Sequence, residues 1–106
     1  MPDTKITEKI ASDLKNNRIM LYMKGERQQP MCGFSSQVVQ ILDSYGVDYT
    51  TENVLADWDL REGIKEYANW PTIPQLYVDG QFIGGCDIIA TLHRKGELKK
   101  VLNGEE

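Results

Sequence analysis

Cys32 lies between a polar stretch, Gly25-Glu26-Arg27-Gln28-Gln29-Pro30-Met31, and an amphipathic run that opens at Gly33. A cysteine at a helix start meets the unpaired N–H groups of the first turn, whose partial positive charge favours thiolate over thiol. A thiolate is a nucleophile and a metal ligand. Lys24, at the end of the preceding apolar run, is placed to add a second positive influence. Pro30, Gly33 and Ser35 distinguish this cysteine from a small buried one, which is the ordinary fate of a free thiol. Ser35 also excludes one chemistry, because a Cys-x-x-Cys pair resolves a mixed disulfide with its second thiol and a hydroxyl cannot. What stays open is a mixed disulfide resolved by an outside thiol, a disulfide to Cys86, or metal ligation.

These residues need elements to hold them. Ile6, Ile10, Ala11 and Leu14 recur at helical spacing from Asp3 or Thr4 to Asn16-Asn17, with Thr4 and Thr7 as capping candidates. Ile19-Met20-Leu21-Tyr22-Met23 is short and wholly apolar, the pattern of a central strand buried on both faces. The polar stretch after it is expected to be a loop that delivers Cys32. From Gly33 to about Tyr45 a helix places Phe34, Val38, Ile41 and Leu42 on one face, with Gly46 as its stop. Asp48 to Val54 fits a second strand, and Asp57 or Asp59 can cap a third helix that carries Leu60, Ile64 and Tyr67.

Trp70-Pro71-Thr72-Ile73-Pro74 forbids helix and forces an extended turn. Gln75 to Val78, Asp79-Gly80 and Gln81 to Gly84 then read as a two-residue hairpin. A helix follows Cys86-Asp87, and a last short one follows Gly96. The order α-β-α-β-α-β-β-α implies an α/β sheet with helices on both faces. One domain over residues 1–106 is expected, with its ordered core at about 4–103.

The chain has 106 residues, 41% apolar and 26% charged, enough to bury a core without a disulfide framework or a structural metal. A net charge of −4 supplies no basic footprint for nucleic acid. No apolar run approaches the roughly 20 residues of a membrane span, and the first residues lack a signal-peptide pattern. A cytoplasmic location follows as the expectation, with no nucleic-acid or membrane partner.

Four runs in order carry a resemblance: Lys24-Gly25, Pro30-Met31-Cys32-Gly33-Phe34-Ser35, Trp70-Pro71-Thr72-Ile73-Pro74-Gln75 and Gly84-Gly85-Cys86-Asp87. In them the chain resembles the monothiol glutaredoxins of the thioredoxin-like superfamily, from about Ile19 to Leu102. The resemblance implies a three-layer thioredoxin-like fold with a four-stranded mixed sheet, a cis peptide bond before Pro74, and a glutathione groove across the Cys32 helix start. Lys24 and Arg61 would meet one carboxylate of glutathione, Arg by two parallel hydrogen bonds. The backbone of Ile73, turned outward by Pro74, would pair with the extended tripeptide. Amides of the Gly85-Cys86-Asp87 run would take the other carboxylate and Asp87 the amine. Phe34 joins this set of glutathione-binding residues. Trp70-Pro71 and the longer loop before Cys32 are further marks of the family's cluster-binding members.

A [2Fe–2S] cluster takes four ligands, usually thiolates, and this chain offers one exposed candidate, Cys32. The resemblance implies that two Cys32 thiolates and two glutathione thiolates complete the set in a homodimer. The expected function is therefore a carrier that passes its cluster to iron–sulfur apoproteins, with a BolA-like protein as a further partner. The alternative is a glutathione-dependent thiol–disulfide oxidoreductase that uses Cys32 as nucleophile, with weak activity at most. Cys86 is read as a packing residue whose backbone binds glutathione, against a slow resolving thiol. His93, the only histidine, is expected to face solvent.

Overall fold

Period-two alternation along β1 (Ile19–Met23) divides the core in two. Ile19, Leu21 and Met23 enter one cluster with Val38, Leu42, Ile89, Leu98 and Leu102. Met20 and Tyr22 enter the other with Ile10, Leu14, Leu60, Ile64 and Tyr77. All five strand residues are buried, and each contributes roughly 1.5–3 kcal/mol by leaving water. The sheet is thus the middle of three layers. The computed structural model describes residues 4–104.

The sheet is mixed and four-stranded. β1 pairs in parallel with β4 (Thr50–Asn53) and antiparallel with β5 (Gln75–Val78), which pairs antiparallel with β6 (Gln81–Gly84). One face carries α1 (Thr4–Asn16) and α3 (Trp58–Ala68). The other carries α2 (Gly33–Ser44), α4 (Cys86–Arg94) and the short α5 (Leu98–Leu102). α1 and α3 cross so closely at Gly63 that a Cβ there would lie 2.3 Å from Ile6 Cγ2. The fold is α/β and thioredoxin-like, as the motifs imply. Among the described residues no helix is long and apolar enough to cross a membrane.

Local chemistry explains the boundaries. The Asp57 side chain accepts the Leu60 N–H at 3.2 Å and caps α3, and Asn69 ends it in the left-handed conformation. Asp79 and Gly80 both have positive φ, 53° and 79°, the turn that a two-residue hairpin requires. The polar stretch expected as a loop is instead a small ribbon, β2 (Gly25–Glu26) against β3 (Gln29–Pro30). Its two-residue strands are too short to leave a periodic pattern. The ribbon is held from outside: Arg27 bonds Asp43 through Nε (3.1 Å) and Nη2 (2.8 Å), lies 4.1 Å over the Tyr49 ring, and the Tyr49 hydroxyl donates to the same carboxylate oxygen at 2.6 Å.

Five details differ from the sequence reading. Thr7 lies inside α1 rather than at its cap, and Ala11 is exposed. The second strand is shorter than Asp48 to Val54, because Val54 starts a 3-10 turn through Ala56. Phe34 is 61% exposed rather than part of the α2 core face, because it sits in the first helical turn, beyond the edge of the core. α4 begins at Cys86 itself, with Gly85 as N-cap.

Candidate functional site

Cys32 is the N-cap of α2: its backbone is extended, with φ −152° and ψ 139°, and its carbonyl accepts the Ser36 N–H at 2.9 Å. Burial alone would raise this thiol. The Ser35 and Phe34 amides, the Ser35 hydroxyl and the Lys24 charge outweigh it and hold the thiol below its ordinary value. The Cys32 side chain itself forms no cap hydrogen bond. A Cβ on Gly33 would meet no atom within 4 Å, so the space at this helix mouth is open.

Ser35 is completely buried, and its Oγ accepts the Lys24 N–H at 3.1 Å. That bond ties the end of β1 to the first turn of α2 and sets Lys24 beside Cys32. Cys86 behaves differently. Burial, then the charges of Asp87 and Cys32, push its thiol up, and it donates to Gln37 Oε1 at 3.3 Å. Both cysteines are free thiols, of which Cys32 is the one held toward the thiolate.

Beside Cys32 a groove of about 400 Å³ runs between Lys24, Phe34, Arg61, the Trp70–Pro74 turn and the start of α4 at Gly85, Cys86 and Asp87. All seven residues expected to bind glutathione line it: Lys24, Phe34, Arg61, Ile73, Pro74, Cys86 and Asp87. Cys32 itself is not among the lining residues; Lys24 and Phe34 connect it to the groove. The peptide bond between Ile73 and Pro74 is cis. Neither the N–H nor the C=O of Ile73 has a hydrogen-bond partner among the described residues, so this backbone edge is free.

Three of the four charged side chains that line the groove are without an ion pair among the described residues. Lys24, Arg61 and Asp87 form no ion pair among the described residues, and Arg61 Nε is buried without a partner. A buried polar atom such as Arg61 Nε is costly to leave unpaired, and a ligand that meets it removes that cost. Two cations and a carboxylate on facing walls suit a ligand that carries both carboxylate and amine. A Cβ on Gly85 would come within 3.3 Å of the Pro74 carbonyl and of Trp70 Nε1, itself a buried donor without a partner among the described residues, so a larger residue would crowd this wall.

Some of the site was missed in the sequence. Lys65 also lines the groove and bonds Glu62 at 3.3 Å; it stands one helical turn after Arg61, a spacing that could have revealed it. Gln75, completely buried, donates through Nε2 to the carbonyls of Trp70 and Thr72, both at 3.2 Å, and its Oε1 accepts the Tyr77 hydroxyl at 3.1 Å. The turn is thereby anchored to the sheet. No local pattern signals this role. His93 is exposed, as expected, with Nδ1 2.7 Å from the Tyr45 hydroxyl.

Residues 19–83 match the glutaredoxin family profile. The chain is 50% identical to a ycf64-like monothiol glutaredoxin of Synechocystis sp., over 95% of this chain and 92% of that one. It is 48% identical to the mitochondrial monothiol glutaredoxin-5 of Schizosaccharomyces pombe, over 96% of this chain and 72% of that one. Its fold superimposes on the solution structure of reduced poplar apo GrxS14 with a TM-score of 0.83 and 41% identity, covering 93% of this chain and 91% of that one. With one activated thiol, a serine where a second would stand, and these relatives, the chain belongs to the glutaredoxin family, among its monothiol members.

Proposed function

We propose that this protein binds glutathione in the Lys24–Asp87 groove and carries a bridging [2Fe–2S] cluster between two copies of itself, for delivery to iron–sulfur apoproteins. The observation that carries the reading is the juxtaposition of one lowered thiol, Cys32, with a groove in which Lys24, Arg61 and Asp87 have no ion-pair partner among the described residues. Lys24 and Arg61 would hold one carboxylate of glutathione, the Cys86 and Asp87 amides the other, and the Asp87 side chain the amine. The free edge of Ile73 pairs with the peptide backbone in between. Glutathione supplies a thiolate when bound.

Ligand counting then sets the stoichiometry. Among the described residues no cluster of three or more His, Cys, Asp or Glu could hold a metal ion, so one chain offers a single thiolate to a site that takes four. Two chains and two glutathiones supply the rest. Half of that ligand set exchanges freely with solution, which suits release over storage. A BolA-like protein could replace the second copy, by substituting its own ligand.

Anaerobic reconstitution with iron, sulfide and glutathione tests this. The expected product is a brown dimer with visible charge-transfer absorption, lost when glutathione is omitted or in Cys32→Ser. A colourless monomer, or a Cys32→Ser variant indistinguishable from the wild type, overturns the reading.

The lowered Cys32 thiol also favours a second activity, removal of glutathione from protein thiols. Cys32 attacks the glutathione sulfur of a mixed disulfide, takes the glutathionyl group and releases the protein thiolate; an outside glutathione thiolate then frees Cys32 as glutathione disulfide forms. A mixed-disulfide turnover assay separates the two, rapid turnover favouring the enzyme.

A further inference from the structure

Trp58 is the most exposed large apolar side chain among the described residues, 65% accessible, and it does not line the groove. It is the first residue of α3, placed by the Asp57 cap, and Arg61 follows one helical turn later. The Arg61 guanidinium carbon lies 5.1 Å from the centre of the Trp58 ring, within cation–π range. Among the described residues the Arg61 side chain has no hydrogen bond or ion pair besides this ring contact. An arginine has many rotamers, and holding one in place costs side-chain entropy on binding. An aromatic ring beneath the guanidinium removes part of that freedom and leaves N–H groups to a ligand.

We propose that Trp58 is a positioning residue for ligand binding, stacking on Arg61 so that its guanidinium is set in the groove wall before a carboxylate arrives. This rests on the reading of the groove as a glutathione site. Trp58 touches no ligand itself; its contribution is selectivity for the carboxylate that Arg61 meets, the glycyl end. The exposed indole is explained by the same contact, as an aromatic shelf whose far face is open to water.

The test compares the binding of glutathione and of its glycyl monoethyl ester to the full-length reduced chain by amide chemical-shift titration. Wild type is expected to prefer glutathione over the ester roughly tenfold, the loss of a charge-assisted hydrogen bond. Trp58→Ala is expected to weaken glutathione roughly two- to fivefold and the ester little, so that the preference shrinks by the same factor. Trp58→Phe, which keeps a ring under the guanidinium, is expected to retain most of it. If Trp58→Ala weakens both ligands equally, or neither, Trp58 does not act through Arg61 and the proposal fails. If wild type binds neither ligand, the glutathione reading falls and this one with it; a wild type that binds glutathione with an unchanged preference in Trp58→Ala sinks only the role of Trp58.

Discussion

The buried Ser35 hydroxyl oxygen accepts the backbone N–H of Lys24 at 3.1 Å, joining the last turn of chain before the ribbon to the first turn of α2. The serine that replaces a second redox thiol is therefore part of the frame that activates the first. Ser35→Ala leaves the Lys24 N–H without its acceptor and removes one stabiliser of the Cys32 thiolate. The expected cost is about 1–3 kcal/mol of stability in urea unfolding, with a Cys32 thiol that titrates at higher pH than in wild type.

Cys32 and Cys86 are shifted in opposite directions, and reaction with iodoacetamide reads this directly. Near neutral pH mass spectrometry is expected to find Cys32 modified well before Cys86. The sign for stability follows. The folded state holds the Cys32 thiol below its unfolded value, so its contribution is full above the unfolded value and fades as pH falls through the folded one.

Three phenols behave in the reverse sense. Burial raises Tyr22, Tyr49 and Tyr77, with Asp13 reinforcing Tyr22, Asp43 reinforcing Tyr49 and the Tyr67 charge reinforcing Tyr77. Their contribution to stability is full below the unfolded phenol value, about 10, and is lost as pH rises above it. Alkaline titration followed at 295 nm is expected to show these phenolates only in step with loss of the far-ultraviolet helix signal.

Gly63→Ala puts a methyl group against Ile6 where the gap is 2.3 Å. The α1–α3 contact must open, at a cost of about 1–3 kcal/mol. Trimming the partner, in Gly63→Ala with Ile6→Ala, is expected to cost less than the sum of the two single changes, measured by denaturant midpoints.

Arg27→Ala removes the clasp on Asp43 and Tyr49. Both ends of that ion pair are substantially exposed, so global stability is expected to move by less than about 1 kcal/mol. The local effect is larger. The Met31 N–H, bonded to the Lys24 carbonyl at 2.9 Å, is expected to exchange faster with deuterium, because the ribbon opens without its outer tether.

What could be read from the sequence was local or periodic. Asp79-Gly80 encodes its own turn, Ile19 to Met23 its own burial, and Cys32 its own place at a helix mouth. What escaped depends on contacts between distant residues. The ribbon exists because Arg27 finds Asp43 and Tyr49 across the fold. Phe34 has the right spacing for the α2 core face, yet lies past the end of what that face covers, and so became a groove wall. Six groove residues were legible from motifs at element ends and Arg61 as a cation placed to meet a carboxylate, whereas Lys65, Gln75 and Trp58 act through partners that only the folded chain supplies.

The groove has no single parent segment: its walls run from Lys24 through Arg61 and Ile73 to Asp87, and meet only when both helical layers are in place on the sheet. A molecule that spans them can bind the native chain and nothing less. It therefore acts as a reversible cross-link on the fold, worth about 2.7 kcal/mol at a concentration one hundred times its dissociation constant. The protein's lifetime in the cell would then follow the supply of that molecule, so that scarcity of the ligand lowers the amount of its receptor.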